Sequence, residues 1–258
     1  MTTSSAESAD ESPRQGANEG ASQAGFVEAE VEGRLWRLAR PADLESLWDA
    51  LGEEQFGDDE RLPYWVELWP AAVLLARFMA ANPQVVAGRA CLDAGCGLGL
   101  PALVAASAGA RVLAFDYERQ ALAYAQRNAA LNLRAGEAAP VFAVMDWRTP
   151  AVPKGGAEVI LGADILYERR FFEPVAAFLE YALAPGGRAF IADPERSVSA
   201  GAEERLRAKG WRVATAHTAR VAQSGQHQTV RLLEISRADG PLRNELSPND
   251  PLRNDKEG

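Results

Sequence analysis

The residues best suited to chemistry form one run, Asp93-Ala94-Gly95-Cys96-Gly97-Leu98-Gly99, followed by three further aspartates, Asp116, Asp146 and Asp164. Alternating glycines let a backbone turn sharply and approach a ligand closely. The run lies between a short apolar stretch, Ala90–Asp93, and an apolar helical stretch, Pro101–Ala108. A strand-to-helix turn of this kind offers unpaired N–H groups and the positive end of a helix dipole. It suits a phosphate or, equally, the carboxylate of an amino-acid-like ligand. Gly97-Leu98-Gly99-Leu100-Pro101-Ala102 also fits a loose G-x-G-x-x-A pattern, with Asp116 at the spacing of a ribose ligand. The loop alone therefore leaves an NAD-dependent oxidoreductase open.

The row of carboxylates separates the readings. Asp93, Asp116, Asp146 and Asp164 are expected to end successive strands, and in an open parallel sheet those ends line the ligand crevice. Carboxylates repel a pyrophosphate. They suit S-adenosylmethionine, which carries an ammonium, a sulfonium, a diol and an adenine amine. Asp93 with Gly95, Gly97 and Gly99 is expected to cradle this cofactor, Asp116 to accept from the ribose diol, and Asp146 from the adenine amine. Trp147 adds a backbone N–H and an apolar face. Taken singly, each aspartate also reads as a helix cap or turn residue.

Methyl transfer from a sulfonium is an in-line displacement that needs alignment and a dry pocket more than acid or base work. An amine acceptor must first expose its lone pair. Asp164 and Tyr167, three apart just beyond a strand, are the candidate catalytic pair. Asp164 would accept a hydrogen bond from the amine; Tyr167 would make a second bond and wall the pocket. Trp69 is a candidate cofactor-binding residue, because an indole face over a cation, here the sulfonium or equally the substrate amine, stabilises it by about 0.5–2 kcal/mol; core packing is its other reading. Phe171, Phe172 and Phe178 read as core, and His217 and His227 as surface or turn residues.

The elements that must position these residues are legible in the hydrophobic rhythm. Phe26–Arg40 alternates around Glu32-Gly33 and predicts a β-hairpin. A helix is predicted from near Pro70, ended by Asn82-Pro83. Strands are then predicted at Ala90–Asp93, Arg111–Asp116, Val141–Asp146, Glu158–Asp164 and Arg188–Asp193. Helices are predicted at Pro101–Ala108, Arg119–Asn132, Phe171–Leu183 and Ala202–Lys209. Strands apolar on both faces, alternating with helices, predict an α/β fold: a Rossmann-like parallel sheet covered on both faces. The link Ala222–His227 is too short for a crossover helix, so Trp211–Val221 and Gln228–Ser236 are expected to close the sheet as an antiparallel hairpin, making seven strands.

The chain has 258 residues, 47% hydrophobic, which suits one such domain. Residues 1–24 are Ser-, Ala-, Glu- and Gly-rich and are expected to be a disordered acidic tail. Residues 238–258, which repeat Pro-Leu-Arg-Asn, are expected to be a second tail, leaving residues 25–237 as the domain. A formal net charge of -9 disfavours nucleic acid and anionic membrane as partners. Two cysteines, Cys91 and Cys96, make no disulfide framework, and with His217 and His227 as the only histidines no metal site is expected. A cytoplasmic protein is expected.

The Asp-x-Gly-x-Gly-x-Gly run, the aspartate ending the second strand and the closing hairpin resemble the class I, seven-strand S-adenosylmethionine-dependent methyltransferases. Tyr64-Trp65-Val66-Glu67-Leu68-Trp69-Pro70, Asp146-Trp147 and Asp164-Ile165-Leu166-Tyr167 resemble the seven-strand protein-lysine methyltransferases, whose signature after the fourth strand is Asp/Glu-x-x-Tyr/Phe. Ala192-Asp193-Pro194 and Thr229-Val230-Arg231 resemble bacterial relatives of the lysine methyltransferase that modifies the electron-transfer-flavoprotein β subunit. The resemblance spans about Leu62 to Ser236. It implies a protein lysine as acceptor, with that β subunit among the candidate partners. Similar bacterial chains called nicotinamide N-methyltransferase-like keep a small-molecule amine as the alternative. A non-catalytic cofactor-binding scaffold is more remote. The chain departs from the flavoprotein-directed pattern at Trp69-Pro70-Ala71-Ala72, where that pattern has Trp-Pro-Gly-Gly. It departs again at Asp193-Pro194-Glu195-Arg196, where the pattern has Asp-Pro-Gly-Arg.

Overall fold

The computed structural model describes residues 24–42, 63–195, 199 and 201–238. Apart from Ala24 and Ala238, the two expected tails lie outside the described residues, as do residues 43–62. Ala24 belongs to the folded unit, paired with Pro41 at the open end of the N-terminal hairpin.

That hairpin is β1 (Ala24–Val31) and β2 (Arg34–Pro41), a sheet of its own. Glu32 and Gly33 both have positive φ, 45° and 72°, the tight turn whose twist matches the strands it joins. Helix α1 (Pro70–Ala81) begins on its proline, whose missing N–H costs nothing in a first turn, and stops at Asn82. The main sheet is then built from β3 (Ala90–Ala94), β4 (Arg111–Asp116), β5 (Val141–Val144), β6 (Ala157–Ala163), β7 (Leu183–Pro194), β8 (Trp211–Gln223) and β9 (Gln226–Arg237). Helices α2 (Leu100–Ser107), α3 (Arg119–Asn132), α4 (Phe172–Ala182) and α5 (Ala202–Ala208) fill the crossovers.

Strand order is β5-β4-β3-β6-β7-β9-β8, parallel from β5 to β7 and antiparallel through β9 and β8. The direction of winding reverses between β3 and β6, and in open sheets a ligand crevice forms at that switch. Residues of one strand alternate between two cores. Phe190 and Ala192 of β7 join Phe78 of α1 in one; Ala189 and Ile191 join Phe178 of α4 in the other. Both faces are therefore dry, which is why these strands read as apolar runs rather than alternating ones.

Several boundaries differ from the sequence expectation. β5 stops at Val144, so Asp146 lies in the following turn, and Asp164 lies just past β6. Pro185-Gly186-Gly187, between the helix expected to end at Leu183 and the strand expected to start at Arg188, is an irregular stretch inside β7: the β6 partners shift from Leu183 to Arg188. Gly187 fits there because a Cβ would lie 3.0 Å from the carbonyl oxygens of Ala184 and Glu158. The closing hairpin turns on Ser224 and Gly225 alone, both at positive φ, so Ala222 and His227 are paired strand residues and the link is shorter than expected. No helix among the described residues is long and apolar enough to cross a membrane.

Candidate active site

A cavity of about 440 Å³ opens where β3, β4 and β6 end. All the residues expected to handle a ligand line it: Trp69, Asp93, Gly95, Gly97, Gly99, Asp116, Asp146, Trp147, Asp164 and Tyr167. His217 and His227 do not. Cys96 lines the wall, but burial and the nearby aspartates push its thiol well above the ordinary range, so it stays protonated and is a poor nucleophile.

The glycine loop is built from the backbone outward. Gly95, Gly97 and Gly99 all have positive φ, 67°, 49° and 90°. A Cβ at Gly95 would lie 3.2 Å from the Trp147 ring and 3.3 Å from Ile165, and one at Gly99 would lie 3.1 Å from Ala125 of α3. The loop is thus held by close approach as well as by φ. Cys96 N–H donates to the Phe115 carbonyl (3.0 Å), and Gly97 N–H to Asp116 Oδ2 (3.0 Å).

Asp116 takes Glu118 N–H on its other oxygen at 3.0 Å, so it is a turn-forming acceptor that also lines the cavity. Tyr117 N–H is a further backbone donor to this carboxylate, whose four lone-pair sites still leave it acceptor capacity. Burial pushes its pKa up to about 6 against the backbone donors that favour the charge. Asp93 is more extreme. It is buried, its Oδ2 has no hydrogen-bond partner among the described residues, and burial, with a smaller push from Asp116, lifts its pKa to about 7. An orphaned carboxylate oxygen beside a glycine cradle fits a cationic or N–H-bearing group. The donor set therefore fits the amino-acid end of S-adenosylmethionine, with the Asp116 lone pairs fitting its diol.

Asp146 is less available than the sequence implied. Its oxygens accept Arg148 N–H and Nε, both at 2.8 Å, and a quarter of its side chain is exposed. Trp147 is buried, its ring edge-on to Phe171 at 5.5 Å between centroids.

The opposite end of the cavity is aromatic. Tyr64, on a short helical turn before α1, stands edge-on to Tyr167 at 5.3 Å and to Trp69 at 6.1 Å, and Tyr167 meets Phe171 at 5.0 Å. The Trp69 indole N–H donates to the Tyr64 carbonyl at 2.8 Å, leaving its ring to face the cavity. Asp164 is buried at φ 56°, a left-handed conformation that non-glycine residues other than Asn and Asp rarely take. Its N–H donates to the Ala192 carbonyl at 2.8 Å, so β7 holds it in that conformation. Burial, then the charges and rings around it, raise the Tyr167 phenol far above its ordinary range, so it stays neutral and can both donate and accept.

Residues 58–202 match the lysine methyltransferase family. The chain belongs to that family. Among its curated relatives, the electron transfer flavoprotein beta subunit lysine methyltransferase of Danio rerio is 34% identical over 137 residues, covering 52% of this chain and 51% of the relative. Protein N-lysine methyltransferase METTL21A of Danio rerio is 33% identical over 127 residues, 48% of this chain and 58% of the relative. Histone-arginine methyltransferase METTL23 of Xenopus laevis is 30% identical over 117 residues, 43% and 49%. The chain spans about half the length of the curated relatives it matches. Among solved structures, the magnesium protoporphyrin IX methyltransferase of Synechocystis PCC 6803, determined with bound SAH, superposes with a TM-score of 0.51 at 17% identity, covering 76% of this chain and all of that one. Pyrococcus horikoshii TYW2 gives 0.51 at 17%, covering 81% and 71%. At such identity the likeness is one of fold, the class I methyltransferase fold.

In this family member the lining also includes residues the sequence reading did not single out as site residues. Tyr64 was visible only as part of the Tyr-Trp-x-x-x-Trp-Pro run, and its neighbour Glu67 is ion-paired to Arg40 of β2 at 2.7 Å. Tyr117 and Glu168 follow directly on Asp116 and Tyr167. Adjacency to an assigned residue was their only signal, because nothing in their own spacing marks them.

Proposed function

We propose that the protein is an S-adenosylmethionine-dependent N-methyltransferase acting on a lysine side chain of a protein. The carrying observation is that one cavity joins a buried carboxylate with an unmet oxygen, beside a glycine cradle, to an aromatic-walled end bearing Asp164. When bound there, S-adenosylmethionine supplies an electrophilic methyl on a sulfonium. Asp93 would hold its ammonium, Asp116 its diol, and Trp147 would pack its adenine end with Asp146 at the margin.

Tyr64, Trp69 and Tyr167 would form the channel for the aliphatic stem and cationic head of a lysine, which rings accommodate through cation–π contact. A lysine attacks only as the free amine. Asp164 would accept a hydrogen bond from that amine and keep its lone pair facing the methyl, and the neutral Tyr167 would offer a second bond. The rings exclude water, which lowers the cost of losing the ammonium charge. The three named relatives carry protein acceptors in their names, which supports a protein over a small amine.

The test is incubation with radiolabelled S-adenosylmethionine and host lysate, followed by hydrolysis of the labelled protein to amino acids. Label in methylated lysine is expected. Label confined to small molecules would overturn the protein acceptor, and label in arginine would overturn lysine.

A further inference from the structure

We infer that Asn128 of α3 is a positioning residue that fixes the glycine loop and makes the β1–β2 hairpin a part of the cofactor site; this rests on the proposed function above. Asn128 is fully buried, yet its amide is satisfied in two directions. Oδ1 accepts Ala39 N–H at 2.6 Å, while Nδ2 donates to the Ala39 carbonyl at 3.2 Å and to the Leu98 carbonyl at 3.0 Å. Ala39 lies on the edge of β2 and Leu98 in the glycine loop, between Gly97 and Gly99.

The hairpin reaches α3 by a match of repeats. Asn132, one turn on, pairs with Arg37 in the same way: Oδ1 accepts Arg37 N–H at 2.9 Å and Nδ2 donates to the Arg37 carbonyl at 2.9 Å. Four helical residues advance about 6 Å, and two strand residues about 6.6 Å. Two asparagines at i and i+4 can therefore serve as a strand partner for residues i and i+2 of β2. Arg34 extends the seam, donating to both carboxylate oxygens of Glu137 at 2.7 and 3.1 Å.

Among the described residues of the seam, Asn128 carries it on to the loop. The Leu98 peptide is gripped from the carbonyl side by Asn128, and the Gly97 N–H from the other side by Asp116 at 3.0 Å. Gly99 N–H closes the turn onto the Cys96 carbonyl at 2.8 Å. Without the Asn128 donors the Leu98 carbonyl loses its side-chain partner, and the Leu98 peptide, set between two glycines, is freer to rotate although its neighbours remain bonded. The hairpin thus supports cofactor binding at a distance, through one side chain.

The experiment compares full-length Asn128→Asp, Asn128→Ser and Asn132→Ala proteins. Asn128→Asp keeps the shape and removes both donors. Asn128→Ser leaves no buried charge and serves if the aspartate variant does not fold. Calorimetric titration with S-adenosylhomocysteine is expected to show affinity lowered by about tenfold or more in the Asn128 variants. Their KM for S-adenosylmethionine should rise, with kcat at saturating cofactor near that of the parent. Backbone hydrogen exchange at Gly97 and Gly99 should speed up. Asn132→Ala, which loosens the hairpin without touching the loop, should lower the melting temperature but leave affinity and loop exchange unchanged. Unchanged affinity and exchange in Asn128→Ser, or equal loss in Asn132→Ala, would overturn the inference. Failure of the parent to bind S-adenosylhomocysteine would instead overturn the proposed function; the exchange comparison needs no ligand and then decides the positioning role alone.

Discussion

The two ends of the cavity hold their shape by different means. At the glycine-loop end the backbone itself takes the shape: strand ends, positive-φ glycines, and peptide groups pinned by Asp116 and Asn128. At the Asp164 end side chains hold one another: Tyr64 against Tyr167, Tyr167 against Phe171, Trp69 tied to the Tyr64 carbonyl. Backbone geometry recurs wherever the same glycine spacing recurs, so the first end suits a ligand common to many enzymes. A wall of packed rings changes with every substitution, so the second end suits an acceptor that differs between them.

The sharpest way to break this comparison is to test whether the two ends separate in function. Asp164→Asn and Tyr167→Phe are expected to cut turnover by ~10² or more while leaving S-adenosylhomocysteine affinity within a few-fold. Asn tolerates the left-handed backbone at position 164, so this variant removes charge without adding strain. Steady-state kinetics on an identified acceptor, with calorimetry alongside, read both quantities. Cofactor affinity falling in step with turnover would put these residues in the cofactor pocket and erase the distinction.

Asp116→Ala probes the other end. It removes a ligand acceptor and also orphans the Gly97 and Glu118 N–H groups, so cofactor binding should weaken by about 1–3 kcal/mol. Turnover at saturating cofactor should change far less. A variant that binds normally but fails in turnover would reverse the assignment.

Acidity gives a smaller effect confined to the glycine-loop end. Asp93 and Asp116 have pKa values raised to about 7 and about 6, so in the free protein each favours its proton. Their contribution to stability is present at low pH and is lost as pH rises through those values. Binding a cation and hydroxyl donors favours the carboxylates and should release protons. S-adenosylhomocysteine affinity is therefore expected to rise a few-fold from pH 6 to pH 8, and the melting-temperature gain on adding it should be larger at pH 8. Affinity that is flat or falls over this range would show that neither carboxylate meets the ligand in ionised form.

The glycine run, the aspartates at strand ends and the alternation of apolar strands with helices placed the sheet, its closing hairpin and every expected lining residue from the chain alone. These signals are local: periodicity sets the element, and a strand end plus a glycine turn sets a crevice. The misplacements were local too. Pro185-Gly186-Gly187 reads as a turn but lies inside β7 as an unpaired irregularity between Leu183 and Arg188, because the neighbouring strand tolerates a bulge that propensity alone argues against.

Other features depend on which segments meet. Tyr64 lies a hundred residues from Tyr167, and only the approach of the turn before α1 to the loop after β6 makes them one wall. Arg148 lies two residues after Asp146 in sequence, but its backbone N–H and Nε reach the two carboxylate oxygens only because the chain turns there. Asn128 and Asn132 read from the chain as two polar residues in a helix; folding turns them into the partners of β2 and, through Leu98, of the glycine loop. The sequence alone determined the elements and the strand-end chemistry, because backbone preference and hydrophobic period are properties of neighbouring residues. Tertiary structure decided which rings wall the acceptor end and what steadies the loop, because those contacts join residues whose proximity exists only once the sheet is wound.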